Sequence, residues 1–272
     1  MDHKNSCDQR GRIIMNKKVD IVIPTWEYYD NNGDEILKYT LDKIQEQTYL
    51  NYNVIISDNS TNDKIKKLCS NHSLNKGDKL IYYSHNRSHV SDHTGGFKSL
   101  NFLLNRPTDA KYIKILFQDD FFTTKNSLEI AVNQVDDKYH WYIWNIRQEE
   151  FKSIREGGKY ADRHNLHYNN RIVYGNNTIG NPSAIMIKND LRPFPEFYDP
   201  SKFLILGDCI FYHEMYQKYG TPQTLRSEIP LVTVRIWENC ISGQLRKEKK
   251  YDLKLEIEHL NKLIKNKEII LK

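Results

Sequence analysis

The sequence predicts an α/β fold in which a doubly wound sheet is flanked by helices, and three observations carry that prediction. Short β-branched runs alternate with amphipathic stretches from Val19 to Gln118, the order that builds parallel strands joined by crossover helices. The runs are largely apolar and do not alternate regularly in polarity, as is typical of strands covered on both faces. Each ends in polar residues, and in such sheets ligands bind beyond the carboxyl ends of the strands.

Taken in order, Val19–Pro24 (VDIVIP) reads as the first strand, stopped by Pro24. Gly33–Gln47 sets Ile36, Leu37, Thr40, Leu41 and Ile44 at helical spacing, and Asn53–Asp58 (NVIISD) is the next buried strand. A Lys-rich helix at Lys64–Cys69, a strand at Lys79–Ser84, a helix at Phe97–Leu104 and a strand at Tyr112–Gln118 complete this half. The strand-end groups Thr25-Trp26-Glu27, Asp58-Asn59-Ser60 and Asp119-Asp120 are therefore expected to converge on one pocket.

Past Phe122 the alternation weakens. A helix at Asn126–Val135 and an aromatic strand at His140–Ile146 precede a polar stretch, Gln148–Asn170, expected to be a mobile loop where the acceptor side begins. Ser183–Ile187 and Leu231–Ile236 read as strands, and Asp208–Tyr219 as a helix with Phe211, Met215 and Tyr219 on one face. Tyr251–Lys272 puts Leu253, Ile257, Leu260 and Ile264 on one face of a lysine-rich helix. That face is expected to pack on the domain or pair with a second subunit; contact of the basic face with anionic lipid is the alternative. The expected organisation is a tail at 1–18, one domain at 19–245 divided into halves 19–122 and 123–245, and a basic amphipathic helix at 246–272.

Bulk composition bounds the function. With 272 residues, 39% hydrophobic, and 18 Tyr, 10 Phe and 4 Trp, the chain can bury a full core, which argues against disorder. The net charge of +5 is spread over 40 basic and 35 acidic residues, so no dedicated nucleic-acid surface is expected. Cys7, Cys69, Cys209 and Cys240 lie far apart with no C-x-x-C pair, which speaks against a zinc knuckle and a disulfide scaffold. No run reaches the ~20 apolar residues of a membrane span and the start lacks an apolar leader, so a cytoplasmic location is expected. The sequons Asn59-Ser60-Thr61 and Asn176-Asn177-Thr178 then read as chance. His85, His89 and His93 have helical spacing, but the Asn, Ser, Asp and Gly residues around them favour a loop over a metal site. Trp141 and Trp144 could form a sugar platform, although aromatic residues in a strand are more often core. Phosphate-binding glycine loops and nucleophile elbows are missing from the sequence.

Moving a sugar from a nucleoside diphosphate requires a grip on the base, a charge partner for the diphosphate and an acceptor for one proton. Asp58 can accept from the imide N–H of uracil or thymine, with an Asx-type loop residue after a strand as the other reading, and Trp26 can lie against the ring. Asp119 and Asp120, adjacent acids at a strand end, repel each other unless a cation such as Mg²⁺ or Mn²⁺ joins them; a turn or helix cap built on Asp is the other reading. Asp208 follows Gly207 at a helix start; a helix cap is one reading and a general base the other. One-step attack from the opposite face would invert the anomeric centre.

With those residues placed, the chain resembles family 2 glycosyltransferases from about Val19 to Leu245. VDIVIPTWEYYD resembles the opening strand and loop, and NVIISDNSTND the strand that carries the base-binding acid. YIKILFQDDFF is similar to the metal-binding strand end, in a variant where Phe117 replaces the first acid. IGNPSAIMIKND resembles the G-x-P-S-A segment, LGDCIFYHEM the stretch with the catalytic base, and VRIWENCIS the R-I-H-E-N-x-x-S segment. The resemblance implies a GT-A fold with a mixed sheet and a nucleotide-sugar donor bound near Pro24, Thr25, Trp26, Glu27 and Asp58. It makes Asp120 the metal ligand, assisted by Asp119, which also reaches the donor ribose or sugar. It also puts Gly180, Pro182 and Ser183 near the donor sugar, and Asp208 as the base, with a glycan or lipid-linked acceptor. Trp237 departs from the pattern, standing where a His often completes the metal site. Two rivals are a sugar nucleotidyltransferase, disfavoured because PTWEYYD is not glycine-rich, and a binding protein that kept the fold without catalysis.

Overall fold

The computed structural model describes residues 17–27, 32–85, 95–174, 176–197, 203, 206–237 and 253–265, and these form two sheets with helices packed against them. The alternating half comprises β1 (Val19–Thr25), α1 (Gly33–Gln45), β2 (Tyr52–Asp58), α2 (Lys64–Asn71), α3 (Ser73–Lys76), β3 (Leu80–Ser84), α4 (Gly95–Asn105) and β4 (Tyr112–Ile115). Then follow β5 (Phe121–Phe122), α5 (Ser127–Gln134), β6 (Trp141–Trp144), β7 (Ile146–Phe151) and β8 (Gly157–Arg163). The last group is β9 (Ile185–Lys188), α6 (Leu206–Tyr219), β10 (Gln223–Leu225), β11 (Val232–Ile236) and α7 (Leu253–Lys265).

The larger sheet has the order β10-β6-β9-β4-β1-β2-β3. Strands β1 to β4 run parallel, and β9 is antiparallel to both β4 and β6, so the sheet is mixed. β1 lies in the sheet's interior, between β4 and β2, and Ile21, Val22 and Ile23 are each at most 1% exposed, as a strand covered on both faces requires. Burial of each such side chain contributes roughly 1.5–3 kcal/mol. The strand does not stop at Pro24 as expected but continues to Thr25, in register with Asp58. Pro24 is tolerated there because it faces β4, which has ended at Ile115, so no ladder bond needs its missing N–H.

Three further expectations are corrected. The strand expected at Tyr112–Gln118 ends at Ile115, since Asp120 N–H turns back to the Phe117 carbonyl at 3.0 Å. The strand expected at Ser183–Ile187 begins at Ile185; Pro182–Ala184 is a 3-10 turn, with Pro at its first position and Asn181 Oδ1 accepting from Ser183 N–H at 2.7 Å. The polar stretch from Gln148 is not a loop. Its first half lies in the hairpin β7–β8, whose β7 pairs with β11, itself paired with β5, in the second sheet, β5-β11-β7-β8. β8 escapes apolar patterning because it is an edge strand, exposed along nearly its whole length. It is held by Arg147, whose guanidinium donates twice to Asp162 at 2.8 and 3.1 Å. The chain passes between sheets at Asn145, fully buried, whose side-chain amide donates to the Ser227 carbonyl at 2.8 Å.

Trp141 and Trp144 are both fully buried, as core residues and not as a sugar platform. Buried Asp20 opens β1, at the end remote from the strand tips, and bonds Arg106 at 2.8 Å and Asn53 at 3.0 Å. It is a structural acid. On α7, Leu260 is buried and Ile257 packs against the core, which accords with the expected packing on the domain. No helix among the described residues is long and apolar enough to cross a membrane. The expected tail through residue 16, His89 and His93, residues 238–252, and 266–272 of the expected terminal helix lie outside the described residues.

Candidate active site

The tips of β1 and β2 bring Thr25 and Asp58 side by side. Asp58 is 2% exposed, and its Oδ1 accepts from Ser60 N–H at 2.9 Å and the Thr25 hydroxyl at 3.4 Å. Its Oδ2 accepts from the Tyr82 hydroxyl at 2.6 Å. Burial, then the hydrogen bond to Asp58, raises the Tyr82 phenol well above its ordinary value, so it remains a donor. Three donors fix the carboxylate plane and leave lone pairs for a ligand N–H. Glu27 serves the neighbouring loop instead. Its carboxylate accepts both the N–H and the hydroxyl of Thr61 at 2.9 Å, which closes the turn after β2.

Gln118 joins this corner to the acid pair. Its amide accepts Trp26 N–H at 2.9 Å and donates to the carbonyls of Trp26 at 3.0 Å and Gly33 at 2.6 Å. A side chain at Gly33 would overlap the Trp26 carbonyl, which is why this contact requires glycine. From α1, the Thr40 hydroxyl donates to the Gln118 and Asp120 carbonyls at 2.7 and 3.1 Å, fixing the turn that carries both acids.

Asp120 is 1% exposed; its Oδ1 accepts from Arg235 N–H at 3.0 Å, while its Oδ2 is buried without a hydrogen-bond partner. Burial, and then the neighbouring Asp119, push its carboxyl well above the ordinary value of 3.8. Asp119 Oδ2 accepts from the indole N–H of Trp237 at 3.3 Å. An orphaned carboxylate oxygen beside a second acid suits a hard divalent cation such as Mg²⁺ or Mn²⁺. Among the described residues no group of three or more His, Cys, Asp or Glu could hold a metal ion. The remaining ligands would have to be substrate and water oxygens.

The third corner is the turn before β9. Ser183 is fully buried, and its Oγ accepts from Phe117 N–H at 2.8 Å, which ties this turn to the acid pair. Gly180 has φ of +91°, open to glycine and strained for other residues. Its carbonyl accepts from Asn177 Nδ2 at 3.0 Å and the Tyr212 hydroxyl at 3.1 Å. Asn177 also donates to Asp208 Oδ2 at 3.4 Å.

Asp208 lies in the first turn of α6, and its Oδ1 accepts from Cys209 N–H at 2.8 Å. Burial raises its carboxyl to about 7, with a smaller contribution from the negative charge of Glu256. Glu256, on α7, accepts the Leu206 N–H at 2.9 Å and so caps the helix that carries Asp208. Two carboxylates thus share one helix N-terminus, where the helix dipole favours negative charge.

Hydrogen bonds and short chain segments thus link Asp58 and Thr25 through Trp26 and Gln118 to the turn that carries Asp119 and Asp120, that turn through Phe117 to Ser183, and Gly180 through Asn177 to Asp208. Pro182 is buried in the turn beside Ser183. Sequence reasoning missed Gln118, Asn177 and Glu256. Asn177 was hidden in a chance sequon, and a long-range amide or a helix cap donated from 50 residues away leaves no local pattern.

A parallel half with acids at its strand tips, joined through an antiparallel strand to a second small sheet, is the GT-A arrangement. Residues 20–191, more than half of the chain, match the model for glycosyl transferase family 2, and the chain belongs to that family. Its fold is similar to that of Staphylococcus aureus TarS 1–349 in complex with UDP, with TM-score 0.57 and 15% identity over 81% of this chain and 61% of that one. It is also similar to the mannosyltransferase PcManGT from Pyrobaculum calidifontis in complex with GDP-Man and Mn²⁺, with TM-score 0.53 and 12% identity over 91% and 69%. The chain spans about three fifths of the TarS 1–349 fragment and 37% of the longer TarS structure. No curated protein matches it.

Proposed function

We propose that this chain is an inverting glycosyltransferase that moves a sugar from a UDP- or dTDP-linked donor to a hydroxyl of a glycan or lipid-linked acceptor. The observation that supports this reading is the set of hydrogen bonds that ties the Asp58 strand tip, the turn carrying Asp119 and Asp120, and the turn beside Asp208 to one another through Gln118, Phe117, Ser183 and Asn177, with the Asp208 carboxyl raised to about 7. Asp58 accepts the imide N–H of the base, and Trp26, fixed by Gln118, stacks on the ring. Asp120, with Asp119 beside it, would hold a divalent cation, which supplies charge stabilisation to the departing diphosphate. Gly180, Pro182 and Ser183 line the donor sugar, while Pro24 and Glu27 act indirectly, by shaping the strand tip and the loop after β2.

The acceptor hydroxyl gives its proton to Asp208 as its oxygen bonds to the anomeric carbon, and the bond from that carbon to the diphosphate oxygen breaks. A base near pKa 7 is ionised in a useful fraction at neutral pH while retaining the basicity to take the proton. Peripheral membrane contact, pairing of two chains and a role in surface polysaccharide assembly belong to the same proposal. A panel of nucleotide sugars tested for donor hydrolysis and transfer decides the central point. Turnover with one UDP- or dTDP-sugar is expected, and binding without turnover by any of them would favour a binding protein.

A further inference from the structure

The helix that carries Asp208 starts against two supports. One is a stack of rings: Phe97 on Phe197 and Phe197 on Phe211, with centroids 5.2 and 4.0 Å apart and planes within 14° and 12°. Gly207 lies so close to this stack that a Cβ there would come within 3.1 Å of the Phe97 ring. The other support is α7. Glu256 and Leu260 are buried on it, Ile257 and Leu263 are partly buried, and Lys254, Glu258 and Lys262 are exposed, so one helical face meets the domain. From that face His259 also meets the buried Phe203 ring edge-on, at 6.3 Å between centroids. Glu256 is the acid in this contact, 6% exposed, and burial of a carboxylate is unfavourable unless it is hydrogen-bonded. Its Oε2 accepts the Leu206 N–H at 2.9 Å, from a residue 50 positions earlier.

Leu206 opens α6, and Asp208 stands two residues further along the same turn. The first N–H groups of a helix find no partner within it, so the placing of that turn depends on what accepts them. Here Glu256 accepts from Leu206 and Asp208 from Cys209, while Asn177 adds a long bond of 3.4 Å to Asp208. Without the Glu256 oxygen a buried N–H loses its acceptor, and the turn shifts or frays to find another. A general base must stay within hydrogen-bond reach of the proton it takes, and displacement of about 1 Å lowers the rate steeply. Resting on the assignment of Asp208 as the base, we infer that α7 sets the position of that base: Glu256 is a positioning residue that pins the first turn of α6 and thereby aims Asp208 at the attacking hydroxyl. The terminal helix then does more than cover the core. Glu256 acts through Leu206, by hydrogen-bond geometry, so a neutral acceptor of the same length serves the same purpose.

The experiment compares the full chain with Glu256→Gln, Glu256→Met and Asp208→Asn, by transfer kinetics over pH and by amide hydrogen exchange. Glu256→Met keeps length and packing and removes the acceptor oxygens; Glu256→Ala replaces it if circular dichroism shows it unfolded. The comparison is made on the alkaline plateau, where Asp208 is ionised; Cys209 and Tyr212, the other groups that feel its charge, are raised by burial and stay neutral. There Glu256→Met is expected to lose about ten-fold or more in kcat with the KM for donor retained, while Glu256→Gln stays within about three-fold of wild type. The amides at the start of α6 are expected to exchange about ten-fold faster in Glu256→Met, with those of β1 and β2 unaltered. A Glu256→Met plateau equal to wild type overturns the inference, as does a Glu256→Gln loss as large as that of Glu256→Met. So does a fall in kcat matched by an equal rise in KM and faster exchange throughout the domain, the mark of general destabilisation. Asp208→Asn separates the two levels: if it transfers like wild type, or if no nucleotide sugar is turned over at all, the proposed function falls and this inference with it. If Asp208→Asn is inactive and Glu256→Met is not impaired, this inference alone falls.

Discussion

Replacing Asp208 by Asn removes the ionisable oxygen while keeping size and the acceptor for Cys209 N–H. Two effects of opposite sign follow. Loss of the base is expected to lower kcat by about 10²–10⁴-fold, with nucleotide affinity preserved because the donor is held by the other corners. Stability should rise. The carboxyl titrates near 7 in the folded chain against an ordinary 3.8, which corresponds to at most about 4 kcal/mol for ionising it in place, reduced by the screening of its half-buried edge. Because the folded pKa is raised, the stability carried by the neutral carboxyl is full below about pH 4 and lost as pH rises through about 7. The Asn variant lacks that loss, so its advantage over wild type in urea denaturation should grow from about pH 4 to about pH 8. The assay pairs single-turnover transfer with denaturation at both pH values. Near-wild-type transfer, or an advantage that does not widen with pH, refutes the reasoning.

Other outcomes follow from the same geometry. Wild-type kcat should climb with pH through about 7 as Asp208 ionises, and Glu256→Gln, by removing a nearby negative charge, should move that limb to lower pH; a pH-rate profile checks both. Tyr82→Phe deletes the 2.6 Å hydrogen bond to buried Asp58 and is expected to cost about 1–3 kcal/mol of stability, raising KM for the donor more than it lowers kcat. Gly180→Ala forces a side chain into φ +91° and against the Ile146 methyl at 3.2 Å. It should destabilise the chain by roughly 1–3 kcal/mol in urea titration and weaken donor binding through the displaced turn.

Much of this was legible in the sequence because parallel strands buried on both faces write themselves as apolar runs, and their tips as the polar residues that follow. VDIVIP, NVIISD and YIKILF mark the strand tips that carry Thr25, Asp58 and the acid pair. The runs said less about where a strand stops. Ile115 and Leu116 are equally apolar and fully buried, yet the pairing of β4 with β1 ends at Ile115, with only Leu116 N–H still reaching the Val22 carbonyl at 3.1 Å. The hairpin β7–β8 went unread because an exposed edge strand such as GGKYADR owes its place to partners and not to its own pattern. The fine structure of the site was illegible for the same reason. The Trp237 bond to Asp119 spans 118 positions, and the Gln118 bond to Trp26 spans 92. Such pairs are decided by tertiary packing, on which local spacing is silent.

A crystal soaked with Mn²⁺ and UDP measures the central claim directly, since manganese is located by its anomalous signal. The expected result is a manganese peak within ligand distance of Asp120 Oδ2, the diphosphate across it, uracil against Asp58 and Trp26, and the Asp208 carboxylate facing the position of the donor sugar. Nucleotide bound on another face, or in place with Asp208 turned away from the sugar position, would contradict it.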